Sequence, residues 1–440
     1  MFGTSGIRGE VGQDVTAATA LAVGRAVASE GADRVVVGRD PRESGRFLAD
    51  AVAAGLRECG ADVVMLGLAS TPTVARSVGW LDADAGVSVT ASHNPPEDNG
   101  LKLWNPSGQA FTADQRDRVT ERIRAEDYDL ASWDGLGSLE RGPNMEARHA
   151  RALVESAGDV DDLSVVVDVG NGAGRVAADA LADLGCDVTT LNGQPDGSFP
   201  GRPSEPTAET LVSLRSTVAG TDADLGVAHD GDADRMMAVT GDGAFVPGDV
   251  LLALFGRDAA TAGETVAAPL NTSLVVDDVL SQVDATVTRT RVGDVYVAEA
   301  AADPDVAFGG EPSGAWIWPD ETLCPDGPLA AVRLVELVTR EGPLSRLVAG
   351  VESYPIRRES VAVDDKSGVM ERVADRLDTE FDDVEFTDGV RVADGDGWFL
   401  VRASGTQPLV RVTAEARSEA RADNLFQLAL SAVDDAVRDD

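Results

Sequence analysis

The sequence predicts an α/β protein: three related α/β domains with mixed or parallel sheets, then a smaller C-terminal α+β domain, around a central cleft. Three observations predict it. Short apolar runs alternate with helix-like stretches in three successive units, which argues for parallel α/β layers. Each unit ends its last strand in a glycine-rich or polar loop, and ligands in open α/β sheets bind beyond the carboxyl ends of strands. From about Tyr354 the pattern turns strand-rich. The expected domains are 1–142, 143–243, 244–353 and 354–440, within a chain of 440 residues.

The first unit runs from Val35-Val36-Val37 through a helix over about Gly45 to Cys59, then Asp62-Val63-Val64-Met65-Leu66. Its strand Ala85-Gly86-Val87-Ser88-Val89 ends in Thr90-Ala91-Ser92-His93-Asn94-Pro95. The second begins with Ser164-Val165-Val166-Val167, turns at Gly170–Gly174 and reaches a helix and Asp187-Val188-Thr189. Its strand Leu225-Gly226-Val227-Ala228 ends in His229-Asp230-Gly231-Asp232-Ala233-Asp234-Arg235. The third begins with Thr265-Val266-Ala267-Ala268 and has a helix over about Val275 to Val283. Its strand Val306-Ala307-Phe308 runs into Gly309-Gly310-Glu311-Pro312-Ser313-Gly314. The tail reads as strand 360–363, helix 369–377, strands 389–392 and 398–401, a loop at 402–408, strand 410–412 and a helix over about 424–437.

Composition narrows the function classes. Apolar residues make up 43%, enough for packed cores. No run of about 18 apolar residues predicts a membrane span, and no basic-then-apolar start predicts a secretory leader. Cys59, Cys186 and Cys324 are few, odd in number and far apart, which fits a reducing cytoplasm. Asp plus Glu number 76 against 37 Lys plus Arg, a net charge of −39. Acidic residues are spread along the chain, which suits a folded protein of a high-salt cytoplasm, where charges are screened within about 3 Å at 1 M. Such a surface disfavours nucleic acid and anionic membranes as partners. Lys102 and Lys366 are the only lysines, so each carries more meaning than a lone Asp.

Five loops carry chemistry. Asp230, Asp232 and Asp234 alternate in a loop and can converge on a hard cation such as Mg²⁺. In so acidic a chain such spacing also arises by chance, and an EF-hand is excluded because positions six and twelve are Arg235 and Gly241. Ser92 lies in a turn before prolines; no hydrolase elbow surrounds it. A phosphorylated Ser92 beside a metal is chemically sensible, since the metal neutralises charge during transfer. Arg8, in Phe2-Gly-Thr-Ser-Gly-Ile-Arg-Gly9, pairs a guanidinium with small residues whose N–H groups can approach an anion. The loop Arg402-Ala-Ser404-Gly405-Thr406-Gln-Pro408, with Arg411 on the next strand, has the same chemistry. Glu311 and Ser313 can bond sugar hydroxyls, or form an ordinary turn about Pro312. Lys102 suggests proton transfer. Gly170–Gly174 reads as a helix start rather than a nucleotide site, and His149 as structural.

Together FGTSGIRG, TASHNP, DGDADR, GEPSG and RASGTQP, in this order over essentially the whole chain, resemble the α-D-phosphohexomutase family. The resemblance implies four domains around a cleft. It implies Ser92 as a phosphoserine, with one Mg²⁺ held by its phosphate and by Asp230, Asp232 and Asp234. Arg8, Lys102 and Arg235 would line the reacting end, with His93 beside the serine as a further catalytic candidate. Glu311 and Ser313 would hold sugar hydroxyls. Arg402, Ser404, Gly405, Thr406 and Arg411 would hold the non-reacting phosphate. The substrate implied is a sugar monophosphate, converted through a bisphosphate that reorients between two phosphate positions, with sugar bisphosphate as activator. Val292-Gly293-Asp294 looks like the corresponding segment of phosphoglucosamine mutases; phosphomannomutase/phosphoglucomutase enzymes usually carry His where Asp294 stands. The segment Gly310–Trp316 also lacks their usual His. Both favour glucosamine phosphate over mannose or glucose phosphate. Ala403 and Gln407 depart from the family's usual Pro and Glu. A serine-based metal-dependent phosphatase is the alternative of another class, opposed by the second phosphate loop. An acidic divalent-ion buffer is the non-enzymatic one.

Overall fold

The structure is a computed structural model that describes residues 3, 6–404 and 408–438. The first unit contains β1 (Ile7–Glu10), α1 (Ala17–Ser29), β2 (Arg34–Arg39), α2 (Gly45–Glu58), β3 (Asp62–Leu68), α3 (Thr71–Trp80), β4 (Ala85–Val89), β5 (Asp98–Trp104), α4 (Ala113–Ala125) and β6 (Leu139–Arg141). Its sheet order is β1-β5-β4-β2-β3-β6. Strands β2, β3 and β4 are parallel, while β5 runs antiparallel to β4. Val35, Val36 and Val37 are all fully buried, as expected for a central strand covered on both faces.

The second unit contains α5 (Met145–Ser156), β7 (Ser164–Asp168), α6 (Arg175–Asp183), β8 (Asp187–Leu191), α7 (Val212–Ala219), β9 (Leu225–His229) and β10 (Met236–Thr240). The third contains α8 (Gly248–Ala259), β11 (Thr265–Pro269), α9 (Leu274–Ser281), β12 (Thr286–Thr290), α10 (Asp294–Ala301), β13 (Val306–Gly310), β14 (Trp316–Ile317), α11 (Gly327–Glu341) and α12 (Leu344–Ala349). Their sheets run β10-β9-β7-β8 and β12-β11-β13-β14. Each repeats the core of the first sheet: three parallel strands with one antiparallel strand beside the last of them. The loops holding Ser92, Asp230–Asp234 and Glu311 are therefore one topological feature used three times. Each is the turn from the last parallel strand into its antiparallel neighbour.

The tail forms an all-antiparallel sheet, β15-β19-β18-β17-β16, from β15 (Ile356–Ala362), β16 (Val384–Glu385), β17 (Val390–Asp394), β18 (Gly397–Ala403) and β19 (Leu409–Ala416). Helices α13 (Lys366–Glu380) and α14 (Glu419–Arg438) pack on it. Helix α14 starts five residues before the predicted Asn424, because buried Ala422 continues its apolar stripe. Helix α9 begins and ends slightly earlier than predicted, where the Ser273 side chain caps it by accepting from Val275 N. The antiparallel strands β1, β5, β10 and β14 have no counterpart among the predicted strands. They take their conformation from pairing rather than from their own periodicity.

The second and third units share one continuous core, which includes Phe255, Phe308 and Trp316. The fourth has its own core. It meets the third through a small apolar cluster of Leu270, Trp398 and Leu400. Buried Glu415 of β19 reinforces that seam by accepting from Ser273 Oγ, Leu274 N and Trp398 Nε1 at 2.5–2.8 Å. Among the described residues no helix is long and apolar enough to cross a membrane.

Candidate active site

Ser92 stands at the turn out of β4 with φ +51°, the left-handed region that a non-glycine residue enters at a cost of about 1 kcal/mol or more. It is 1% exposed. That conformation sends its hydroxyl across to the second unit, where Oγ donates to Asp230 Oδ2 at 2.6 Å and approaches Asp234 Oδ1 at 3.5 Å. Asp230, Asp232 and Asp234 are all buried, and one carboxylate oxygen from each lies within 4.8 Å of the others.

Helix α3 of the first unit reads this loop directly. Thr71 N donates to Asp232 O at 2.8 Å, and Thr71 Oγ1 donates to Asp232 Oδ2 at 2.6 Å. Lys102, on β5 opposite Ser88, donates Nζ to Asp232 Oδ2 at 2.8 Å and to Asp234 Oδ2. Burial disfavours the lysine's charge, but Asp232 and Asp234 outweigh it and hold its pKa above the ordinary value. Burial pushes Asp230 and Asp234 up, and each is raised further by neighbouring carboxylates. Burial opposes ionisation of Asp232 too, but Lys102 and the Thr71 bond hold its carboxyl below the usual range. Among the described residues Lys102 is the one cationic side chain bonded directly to these carboxylates, with Arg8 and Arg235 acting on them at longer range. Asp232 Oδ1 is buried with no hydrogen-bond partner. Three converging carboxylate oxygens and an orphaned one fit a hard divalent cation such as Mg²⁺.

The other predicted residues of the reacting end gather here. Arg8, on β1 opposite Gly100, has a buried Nε without a partner. It lies close enough to Lys102, His93 and Asp232 to shift their charges. His93 Nδ1 is 3.4 Å from Ser92 Oγ. Burial, with Arg235, Arg8 and Lys102, depresses the imidazole to about 2, so it is neutral at neutral pH. Arg235 N donates to Asp230 Oδ1 at 3.2 Å. Arg235 also pairs by a strand bridge with Ala315, which joins the metal loop to the loop of Glu311.

In the third unit Glu311 accepts from Gly293 N at 2.8 Å and from Ser313 Oγ at 3.2 Å. Burial and Asp294 push the Glu311 carboxyl up to about 7, against the pull of Arg235. Asp294 opens α10, and its charge reaches Lys102 and Asp234 as well. At the far end Arg402 and Arg411 are cross-strand partners on β18 and β19. Arg402 Nη1 donates to Asp388 Oδ2 at 2.9 Å, and the same oxygen accepts from Val292 N at 3.0 Å, beside the loop that holds Asp294. Gly405 and Thr406 lie outside the described residues.

Sequence reasoning passed over three residues that organise these loops. Lys366 Nζ donates to Ser404 O at 2.7 Å at the edge of the loop after Arg402; its rarity was the available signal. Arg42 and Arg202 are buried guanidiniums, paired with Asp40 and Asp168 at the ends of the first strands of their sheets. Arg202 Nη2 donates to His229 O at 2.6 Å, at the root of the metal loop. A polar Asp-Pro-Arg directly after an apolar strand was the signal for Arg42. His149 is fully buried between Thr73 and Asp326, in agreement with a structural role.

Comparison with known proteins follows the same order of units. The phosphoglucomutase/phosphomannomutase family models match as alpha/beta/alpha domain I over residues 1–129, domain II over 147–243, domain III over 247–354 and the C-terminal domain over 360–430. A protein of Methanopyrus kandleri named "probable phosphoglucosamine mutase" is 47% identical over 96% of this chain and 95% of its own length. One of the same name from Methanothermobacter thermautotrophicus is 45% identical over 96% and 95%. Among solved structures, a phosphoglucomutase/phosphomannomutase family protein of Burkholderia thailandensis superposes with TM-score 0.86 at 30% identity, covering 99% of this chain and 98% of that one. The Aspergillus fumigatus N-acetylphosphoglucosamine mutase, solved with GlcNAc-6P and magnesium, shares the fold at TM-score 0.57 and 17% identity, over 84% of this chain and 94% of its own. This chain belongs to the phosphoglucomutase/phosphomannomutase family, the α-D-phosphohexomutases.

Proposed function

We propose that this phosphohexomutase interconverts glucosamine 6-phosphate and glucosamine 1-phosphate, with Ser92 as the phosphate carrier. The observation that carries the reading is the contact of Ser92 Oγ with Asp230 at 2.6 Å inside a ring of Lys102, Arg8 and Arg235. A phosphoryl group on Ser92 would meet three cationic side chains at once, an arrangement suited to the charge of phosphoryl transfer. Asp230, Asp232, Asp234 and the Ser92 phosphate would hold Mg²⁺, which when bound neutralises charge on the transferring group.

In the forward direction phospho-Ser92 gives its phosphoryl group to the sugar O1: the Oγ–P bond breaks, an O1–P bond forms to give a 1,6-bisphosphate, and the O1 proton ends on the freed Ser92 Oγ. The bisphosphate turns end for end, and the 6-phosphate is returned to Ser92. Lys102, bonded to Asp232 and Asp234, would stabilise charge on the transferring group and stands where it can take part in proton transfer. The non-reacting phosphate is assigned to Arg402, Ser404, Gly405, Thr406 and Arg411. This second position is what a phosphatase would not need. Asp294 and Glu311 supply carboxylates to the sugar, with Ser313 beside them. A carboxylate facing the sugar amine is the reason for preferring glucosamine.

The test uses the full chain with Mg²⁺, catalytic sugar bisphosphate and high salt, which suits a net charge of −39. Glucosamine 6-phosphate, mannose 6-phosphate and glucose 6-phosphate are compared by kcat/KM. Accumulation of free phosphate in place of the 1-phosphate would overturn the mutase reading. A clear advantage for mannose or glucose would overturn the role of Asp294 and leave a phosphomannomutase/phosphoglucomutase.

A further inference from the structure

Both main-chain polar groups of Ser92 are tied back to one carboxylate by separate routes. Ser92 N donates to Thr90 Oγ1 at 2.8 Å, and Thr90 Oγ1 donates to Asp40 Oδ2 at 2.7 Å. On the other side Ser92 O accepts from Arg42 Nη2 at 2.9 Å, and Arg42 Nε donates to the same Asp40 Oδ2 at 2.9 Å. Arg42 N donates to Asp40 Oδ1 at 3.0 Å, which closes the unit.

The guanidinium of Arg42 is fully buried and every one of its N–H groups is used. Nη2 also donates to Asn94 O at 2.7 Å, and Nη1 donates to Asp98 O at 2.9 Å and to Pro95 O. One side chain thus gathers the carbonyls of residues 92, 94, 95 and 98. The loop turns them inward, where a buried carbonyl left unpaired is costly; of the four, the Pro95 carbonyl also accepts from Asp98 N at 3.1 Å. A planar fork with five donors suits this task; an ammonium does not. The second unit closes over the assembly. Phe199 stacks on the guanidinium at 5.0 Å, and Ser204 Oγ gives Ser92 O a second bond at 2.9 Å.

We propose that Arg42, anchored on Asp40, is a positioning residue for phosphoryl transfer: with Thr90 and Ser204 it locks the left-handed main chain of Ser92, so that Oγ stays aimed at the carboxylate cluster. This rests on the reading of Ser92 as the phosphate carrier. None of the bonds in the assembly goes to Arg8, Lys102, Arg235, Glu311 or Arg402, so it acts on transfer rather than on sugar binding. A displacement of about 1 Å at a reacting atom costs about 100-fold in rate.

The experiment compares Arg42→Lys, Thr90→Val, Thr90→Ser and Ser204→Ala in the full chain with Mg²⁺. It measures kcat and KM for glucosamine 6-phosphate, phosphate on Ser92 by intact mass, and thermal unfolding. Arg42→Lys should lose about 100-fold in kcat and Thr90→Val about tenfold, with KM within about threefold of wild type. Thr90→Ser keeps the hydroxyl relay and should restore kcat; Ser204→Ala should cost a few-fold. Should Arg42→Lys fail to fold, the Thr90 pair decides, because Val matches Thr in shape and lacks only the hydroxyl. Folded Thr90→Val with wild-type kcat overturns the proposal, as does a rise in KM at unchanged kcat. A wild-type protein that never carries phosphate on Ser92 overturns the carrier reading and this inference together. A phosphorylated wild type with an unaffected Thr90→Val removes this inference alone.

Discussion

Around Ser92 the charged side chains are almost wholly buried, with Lys102 3%, Asp232 1% and Asp234 5% exposed, and they bond one another across two sheets. Around Arg402 the ion pair with Asp388 is about a quarter exposed, at 22% and 26%, and belongs to a unit joined by a small apolar cluster. Buried charges interact strongly and hold one geometry; partly exposed ones are screened and exchange partners at little cost. The reacting end is thus built to aim atoms. On the proposed mechanism, the far end would grip a phosphate and release it as the bisphosphate reorients.

The sharpest way to break this comparison is at the carrier itself. Ser92→Ala should lower kcat on the order of 1,000-fold or more and remove the phosphate adduct from the intact mass, since among the described residues no other hydroxyl touches Asp230. Next comes the support of the carboxylate loop. Thr71→Val deletes the bond to Asp232 and should weaken Mg²⁺ affinity by about 10- to 100-fold, read by Mg²⁺ titration of activity after chelation.

At the far end the loss should fall on binding. Arg402→Ala removes a charge-assisted contact of about 1.5–3 kcal/mol, so KM should rise by about tenfold or more while kcat changes less. An equal fall in kcat with KM unchanged would dissolve the contrast between the two ends.

The smallest effect concerns Glu311, between them. Its folded pKa, about 7, lies above the ordinary carboxylate value. Its contribution to stability is therefore greatest below that ordinary range and is lost as pH rises through about 7. Binding has the opposite sense, because the carboxylate is the better acceptor for sugar hydroxyls. KM should fall a few-fold as pH rises through about 7, and Glu311→Gln should flatten that profile relative to wild type.

Much of this was legible locally. Val35–Val37 and Ser164–Val167 announce buried parallel strands because a strand's burial is written in consecutive apolar residues. The loop after each last strand was legible because small and polar residues interrupt those runs. Strand β5, which carries Lys102, was not, since its residues pair in a hairpin whose partner, not its own pattern, makes it a strand. Arg42 was marked only by its place after an apolar strand, and its role was not legible for a different reason. Its value lies in carbonyls at residues 92 to 98, fifty positions away, and nothing in the order of residues says that they point inward.

By itself the sequence determined the parallel strands, most of the helices, the five chemical loops and the acidic composition, all properties of neighbouring residues. Only the tertiary structure decided that the same hairpin turn of three sheets converges. Through it Ser92 meets Asp230 across 138 positions, and Lys102 meets Asp232 across 130. Only it decided that Lys102, Arg8 and Arg235 face the three carboxylates, because charge balance depends on which side chains share a buried volume. It also decided that one buried carboxylate, Asp40, holds both sides of the Ser92 main chain, since hydrogen bonds are fixed by distance in space and not in sequence.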